Sequence, residues 1–193
     1  MTTYTGNAVK DMAGNKFEAE IVTFGGSNSD DVITASADTP VHYRGRNGND
    51  TLTGSNGKDK LVGGSGDDIL IGGAGNDKLI GGNGNDTLTG GTGADKFIYK
   101  SNYSTGSVAN QGNDIITDFE IGTDWLVLKD LIVDEDHWAY HLSKFIKVSN
   151  SGNDTILNVD ANGRILDNVP DVQITLQGVN ATLNDLESSI VLH

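Results

Sequence analysis

The chain of 193 residues has no cysteine, only two prolines and few aromatics, 6% of the total. Without cysteine no disulfide can brace a lean core, and thiolate metal sites and a cysteine nucleophile are both excluded. Two prolines exclude a proline-rich spacer. Basic residues are also scarce: 13 Lys and Arg stand against 27 Asp and Glu, a net charge of −14. Nucleic acid and anionic membranes both need a positive surface, so neither is expected as a partner. No run of eighteen apolar residues occurs, which excludes a membrane-spanning helix. Residues Met1 to Lys10 contain no apolar stretch of the kind a Sec-type leader needs.

What the chain has in excess is glycine, 26 residues, and it is arranged periodically. Residues 45 to 98 divide without a gap into six nonapeptides: GRNGNDTLT, GSNGKDKLV, GGSGDDILI, GGAGNDKLI, GGNGNDTLT and GGTGADKFI. Positions 1 and 4 are always glycine, position 6 is always aspartate, and position 8 is always a large apolar residue. A flexible Gly/Asp linker has no reason to place Leu52, Leu61, Leu70, Leu79, Leu88 and Phe97 at every ninth residue. Period nine suits neither a helix nor a hairpin array. It fits a coil built from a six-residue turn and a three-residue strand, two nonapeptides making one 18-residue revolution. Position 8 then points between two parallel sheets, and positions 7 and 9 point out.

Residues 18 apart stack on successive rungs about 4.8 Å apart. The position-6 aspartates therefore form two ladders, Asp50, Asp68, Asp86 on one edge and Asp59, Asp77, Asp95 on the other. Two carboxylates at that spacing repel by about 3 kcal/mol at an effective dielectric near 20. A hard dication between them removes the repulsion and satisfies converging turn carbonyls. Calcium accepts six to eight oxygens in flexible geometry, whereas magnesium demands a tight octahedron and softer metals want His or Cys, which the repeats lack. Several calcium ions are the expected cofactor.

At these residues the chain resembles the RTX calcium-binding proteins, whose pattern GGxGxDxUx matches the last four repeats in full. The first two depart at position 2, with Arg46 and Ser55, a change expected to matter little. The resemblance implies an all-β fold: a parallel β-roll over residues 25–100, flanked by residues 1–24 and closed by a C-terminal antiparallel β cap with a short helix over 101–193. It implies calcium held between turns by two aspartates and by carbonyls of the GGxG stretch. The implied interior sites are Asp50/Asp68, Asp68/Asp86, Asp59/Asp77 and Asp77/Asp95. The carbonyl donors would come from Gly48, Gly57, Gly63, Gly66, Gly72, Gly75, Gly81, Gly84, Gly90 and Gly93. It further implies type I secretion from a Gram-negative bacterium, an extracellular or cell-surface location, and the type I machinery as a partner. A monomer is expected.

Both flanks carry degenerate signals. Upstream, GGSNSDDVI (25–33) reads as a worn repeat with Asn28 at the glycine position and Asp30 at position 6, capping the first ladder across a bulge within Thr34 to Arg44. Downstream, NDIITDF (113–119) and GTDWLVL (122–128) resemble the segment after the roll in serralysin-type proteases, which makes Asp114 and Asp118 candidate end ligands. The other reading of that segment is a strand with exposed carboxylates. FIKVS, DTILNVD and VQITLQ, at 145–149, 154–160 and 172–177, alternate like antiparallel strands, and NATLNDLESSIV (180–191) suggests a short helix begun by Asn180 or Thr182. The ending LESSIVLH also resembles an uncleaved type I export tail.

No catalytic constellation stands out, and the chain reads as a binding module rather than an enzyme. His137 and His141 in HWAYH are four apart, but Trp138 stands where a zincin requires Glu, and no third ligand is evident. Three functional classes follow. One is a calcium-triggered folding and secretion module of a larger exoprotein such as an adhesin or toxin, since sites tuned to about 10⁻⁴–10⁻³ M fill only outside the cell. Another is a glycan-binding accessory module like those of alginate epimerases, for which Lys60, Lys78 and Lys96 are the visible hint. The third is the C-terminal part of a secreted enzyme such as a serralysin-like protease, the short stretch before the first repeat leaving no room for a passenger. The outward aliphatic row Val62, Ile80, Ile98 is expected to be covered by a flanking segment.

Overall fold

The computed structural model describes residues 2–5, 22–35, 39–100, 111–129, 142–160 and 172–192. Its strands are β1 (Thr2–Thr5), β2 (Val22–Gly25), β3 (Asp31–Thr34), β4 (Val41–Asn47), β5 (Thr51–Thr53), β6 (Lys60–Ser65), β7 (Ile69–Ala74), β8 (Lys78–Asn83), β9 (Thr87–Thr92) and β10 (Lys96–Lys100). Beyond the nonapeptides follow β11 (Asn113–Ile116), β12 (Trp125–Lys129), β13 (Ile146–Ser151), β14 (Asp154–Val159), β15 (Val172–Leu176) and β16 (Ile190–Val191). Two single-turn helices, α1 (Leu142–Phe145) and α2 (Leu183–Leu186), complete the described chain.

From β1 to β12, odd and even strands separate into two sheets, as a coil of two strands per revolution requires. The first runs β1-β3-β5-β7-β9-β11-β15-β14-β13 and the second β16-β12-β10-β8-β6-β4-β2. Within the roll all pairing is parallel and in strict register, with Lys60, Leu61 and Val62 opposite Lys78, Leu79 and Ile80. The strands of the full repeats are longer than three residues. Pairing continues through Gly64↔Gly82 and Ser65↔Asn83, so β6 and β8 each hold six. Glycines without a Cβ let the main chains keep contact where a three-residue strand was expected to end.

The core is a zipper of position-8 side chains from the two sheets. Leu52, Leu70 and Leu88 on one side and Leu61, Leu79 and Phe97 on the other are wholly buried. Ile33 and Ile116 continue the first row, Tyr43 and Leu126 the second. Aromatic pairs fill both ends, Phe24 edge-on to Tyr43 at 6.5 Å and Phe97 against Phe119 at 5.9 Å. Positions 7 and 9 face outward, with Ile69 at 44% exposure. Val62, Ile80 and Ile98 are half-buried.

The sheets thus take in strands on both sides of residues 25–100. At the C-terminal end β15 pairs in parallel with β11 along one edge and antiparallel with β14 along the other. That strand turns the roll into the antiparallel unit β13-β14-β15, whose strands match those expected at 145–149, 154–160 and 172–177. Thr182 rather than Asn180 caps α2, in a reciprocal capping box with Asp185. The tail residues Ile190 and Val191 form β16 against Leu126 and Val127, so the ending docks on the last strand of the second sheet. Residues His137 and His141 lie outside the described residues.

Removing a zipper side chain leaves a cavity that neighbouring rungs, pinned in register, cannot fill. Leu70→Ala is expected to destabilise the calcium-saturated protein by about 2–5 kcal/mol, whereas Ile69→Ala on the outer face should stay within about 0.5 kcal/mol. Denaturant unfolding of the two variants side by side checks the difference.

Candidate metal centre

Each nonapeptide turn ends on its position-6 aspartate, which the apolar residue two places on anchors at the edge of the core. The aspartates are accordingly buried: Asp50, Asp59, Asp68, Asp77, Asp86 and Asp95 are at most 1% exposed. One carboxylate oxygen ties each rung to the preceding one. Asp68 Oδ1 accepts the backbone N–H of Asp50 at 2.7 Å, Asp86 Oδ1 that of Asp68 at 2.9 Å, and Asp77 and Asp95 Oδ1 those of Asp59 and Asp77 at 2.8 Å.

The second oxygen is treated differently. Oδ2 of Asp50, Asp68, Asp77, Asp86 and Asp95 is buried and accepts no hydrogen bond. It faces the space that position-1 glycine leaves by having no side chain. A Cβ on Gly45 would collide with Asp50 Oδ2 and with the carbonyl oxygen of Gly63 one rung on. Gly63 and Gly72 repeat the arrangement, bringing Asp68 Oδ2 to the Gly81 carbonyl and Asp77 Oδ2 to the Gly90 carbonyl. Buried carboxylate and carbonyl oxygens thus converge with no donor between them, which is a cradle for a hard cation. Among the described residues no three His, Cys, Asp or Glu side chains meet at one point; the donor set is carboxylate plus main-chain oxygen.

The carbonyls divide by position. Those of Gly63, Gly72, Gly81 and Gly90 lie beside the carboxylates. Those of Gly48, Gly57, Gly66, Gly75 and Gly84 point at the position-4 glycine of the following rung, where a side chain on Gly66, Gly75, Gly84, Gly93 or Gly112 would strike them. Glycine at position 4 therefore also lets successive rungs pack closely.

Burial shapes the electrostatics. Lost solvation, reinforced by the neighbouring carboxylates, pushes Asp68 and Asp77 up to about 7 despite the backbone N–H each accepts. Burial likewise raises Asp86 to about 6 and Asp114 to about 8.

The ends of the ladders differ from expectation. Asp31, not Asp30, occupies the inner column: its N–H donates to Asp50 Oδ1 at 2.8 Å, and its side chain is buried. The upstream repeat starts at Gly26, one residue later than read, so that Ile33 reaches the core. Asp30 instead heads an exposed outer ladder at position 5, accepting from Asn49 N–H at 2.8 Å. Asn49, Asp67 and Asn85 carry that ladder on to Asn113. Asp114 does join the first column, accepting from Asp86 N–H at 2.8 Å. Asp118 does not; its two oxygens take the N–H groups of Gly90 and Gly91 at 2.9 and 2.7 Å. The second column ends on Asp124, which accepts from Asp95 N–H at 2.9 Å and which sequence reasoning missed. At its other end Val41 stands where an aspartate would, its N–H donating to Asp59 Oδ1 at 2.7 Å. Nor is Ser55 a neutral departure: its hydroxyl and N–H both bond the Asp59 carboxylate.

Residues 43–70 and 62–97 match the family described as RTX calcium-binding nonapeptide repeat, in four copies. These are RTX repeats. A solved structure similar to this RTX roll is the R3 subunit of the AlgE6 mannuronan C5-epimerase from Azotobacter vinelandii, 27% identical with a TM-score of 0.50, over 92% of this chain and 86% of that one. The extracellular lipase LipA from Serratia marcescens is 17% identical with a TM-score of 0.41; the alignment covers 96% of this chain and 42% of the lipase. No curated protein matches the chain.

The raised carboxylates fix the sign of a pH effect. Their folded values of about 6 to 8 exceed the ordinary 3.8, so the folded, metal-free roll holds protons that the unfolded chain releases. That stabilisation is full below about pH 4 and disappears as pH rises through about 6 to 8. In chelator, the RTX roll should therefore gain β structure as pH falls from 8 to 5, read by far-UV circular dichroism. With calcium, which needs the ionised carboxylates, lowering the pH should weaken binding instead.

Proposed function

We propose that this chain is a calcium-dependent folding module of a larger secreted protein. The observation that carries the reading is the set of buried Oδ2 atoms on Asp50, Asp68, Asp77, Asp86 and Asp95 that accept no hydrogen bond, with glycine carbonyls converging on those of Asp50, Asp68 and Asp77. At neutral pH such oxygens oppose folding until a cation joins them. Calcium released into the turns by the extracellular medium, and withheld in the cytosol, makes folding follow export. Export would use the type I route of a Gram-negative cell, with the C-terminal unit carrying the address, and the passenger would be an adhesin, toxin or enzyme. The module itself would bind rather than catalyse.

A calcium titration followed by far-UV circular dichroism tests this reading. Little parallel β structure in chelator at pH 7.5 and cooperative folding with added calcium are expected. A chain already fully folded in chelator would sink it. Asp77→Ala, which removes an interior carboxylate, should shift the transition to higher calcium.

A second reading is supported by one surface. Lys60, Lys78 and Lys96 stack in register on the outer face of the second sheet, with Trp125 next in line at 36% exposure. Burial, together with the charges of Lys100, Arg44 and Lys78, pulls the Lys60 ammonium below its usual pKa. The three lysines form no ion pair with any described residue. A cationic row on an acidic protein suits a sparsely charged anionic glycan, and the similar epimerase subunit belongs to an enzyme named for mannuronan. On this reading, calcium-loaded protein binds a uronate polymer at low salt. Replacing all three lysines by alanine then weakens binding roughly tenfold, taking about 0.5 kcal/mol per exposed charge pair. Equal binding by the triple variant would remove the lysine row from consideration.

A further inference from the structure

The turns of the two inner columns fall into two kinds, and a single backbone angle separates them. Position 2 has φ between +91° and +131° in five turns, at Arg46, Gly64, Gly73, Gly82 and Gly91. These are the turns of Asp50, Asp68, Asp77, Asp86 and Asp95, the five repeat aspartates whose Oδ2 accepts no hydrogen bond. In three other turns position 2 lies outside the left-handed region, and its N–H folds back onto the aspartate four residues on. Ser27 N–H donates to Asp31 Oδ2 at 2.5 Å, Ser55 N–H to Asp59 Oδ2 at 2.5 Å, and Glu120 N–H to Asp124 Oδ2 at 2.9 Å. The correspondence holds in all eight turns whose position 2 is among the described residues; that of the ninth, the Asp114 turn, is not.

The cause is local geometry. A left-handed residue at position 2 turns its own N–H away from the carboxylate, and the main chain then closes on glycine carbonyls alone. A residue of ordinary φ leaves the N–H pointing inward, where it bonds the oxygen a cation would need. Glycine adopts positive φ without penalty, whereas serine and glutamate rarely do. Arg46 is the only non-glycine residue with positive φ among the described residues.

We infer that the position-2 backbone decides whether each turn takes a calcium ion, and that the Asp59 turn is sealed by Ser55 and takes none. This rests on the calcium reading above. The Asp59/Asp77 pair is then not an interior site, although its position-1 glycine and the carbonyl of the next rung match those of the open turns. Gly54 leaves the same space as the other position-1 glycines, with Asp59 Oδ2 and the Gly72 carbonyl converging in it. What differs is the N–H and hydroxyl of Ser55, itself buried at 6% exposure. Ser55 is thus a specificity-determining residue that sets the number of ions.

The test counts calcium ions in the full chain by native mass spectrometry and isothermal titration. Ser55→Gly restores the repeat consensus, frees position 2 to turn left-handed, and is expected to bind one more ion than wild type. Ser55→Ala removes the hydroxyl but keeps a residue that avoids positive φ, so its count should equal wild type. Arg46→Gly, at a position already left-handed, should also leave the count unchanged. An unchanged count in Ser55→Gly overturns the inference, as does a gain in Ser55→Ala, which would make the hydroxyl and not the backbone the seal. A wild-type chain that binds no calcium at all would instead overturn the calcium reading itself.

Discussion

A carboxylate buried at the edge of an apolar core has two oxygens to satisfy, and the rest of this structure is arranged around how that is done. One oxygen of each column aspartate accepts the main-chain N–H of the preceding rung, at 2.7–2.9 Å between Asp50 and Asp95. That bond crosses 18 residues of sequence and repeats at every rung, so it fixes register as firmly as the strand pairing does. The other oxygen must find a donor or a cation, because an ionised carboxylate left without either costs more than a rung's core contacts return. On the calcium-dependent folding proposed above, fold and ligand are not separable in the middle of the roll.

Period nine follows from the same demand. Six residues bring the chain round the carboxylate with carbonyls facing in, and three return it along the sheet with a single side chain reaching the core. One apolar residue in nine is a thin core, and position 8 has no room for error: all six repeat side chains there are wholly buried. The two sheets gain little from long-range packing, since each rung touches only its neighbours. On the proposed reading, stability then depends on how many turns are satisfied in sequence, which would make metal binding and folding one equilibrium. Protons act on that equilibrium at the same oxygens, which is why burial that raises Asp68 and Asp77 to about 7 also sets the pH range in which calcium and protons compete.

Much of this was legible in the sequence because the repeat writes it nine residues at a time. The zipper row, the six aspartates and the strands at 146–151, 154–159 and 172–176 all carry a strong period. Where the period fails, the legible unit is shorter than the nonapeptide. Asp31-Val32-Ile33, Asp114-Ile115-Ile116 and Asp124-Trp125-Leu126 share only the aspartate followed two residues later by a core side chain. Reading that three-residue signal would have found Asp124 in place of Asp118, but Asp30-Asp31-Val32 carries it as well as Asp31-Val32-Ile33, so it would not by itself have separated those two. Val41 could not have been found this way, since nothing in Pro40-Val41-His42 announces a rung until Tyr43 is seen to enter the core row. The role of Ser55 was hidden for another reason. Its effect lies in a backbone angle, and composition alone treats it as a minor departure like Arg46, which the structure holds in the opposite conformation.

The distribution of sealed and open turns has a logic of its own. An open turn relies on its neighbours, because its cradle is completed by a glycine carbonyl from the next rung. A turn at the end of a column lacks one of those neighbours. Asp31 begins the first column, Asp59 is the first aspartate of the second after Val41, and Asp124 closes the second, and these are the three turns that satisfy Oδ2 from their own backbone. Asp31 and Asp59 have no aspartate on the preceding rung and Asp124 has none on the following one, whereas Asp114, which closes the first column, keeps an Oδ2 that accepts no hydrogen bond. Three of the four column ends thus bond Oδ2 from their own backbone, and the turns between them do not. The C-terminal strands β11 and β12, already held by β15 and β16, supply a formed edge onto which the open rungs can add. Each interior rung offers the next a row of N–H and carbonyl groups in register 18 residues away, while the step onto that edge spans 28 residues from Asp86 to Asp114 and 29 from Asp95 to Asp124.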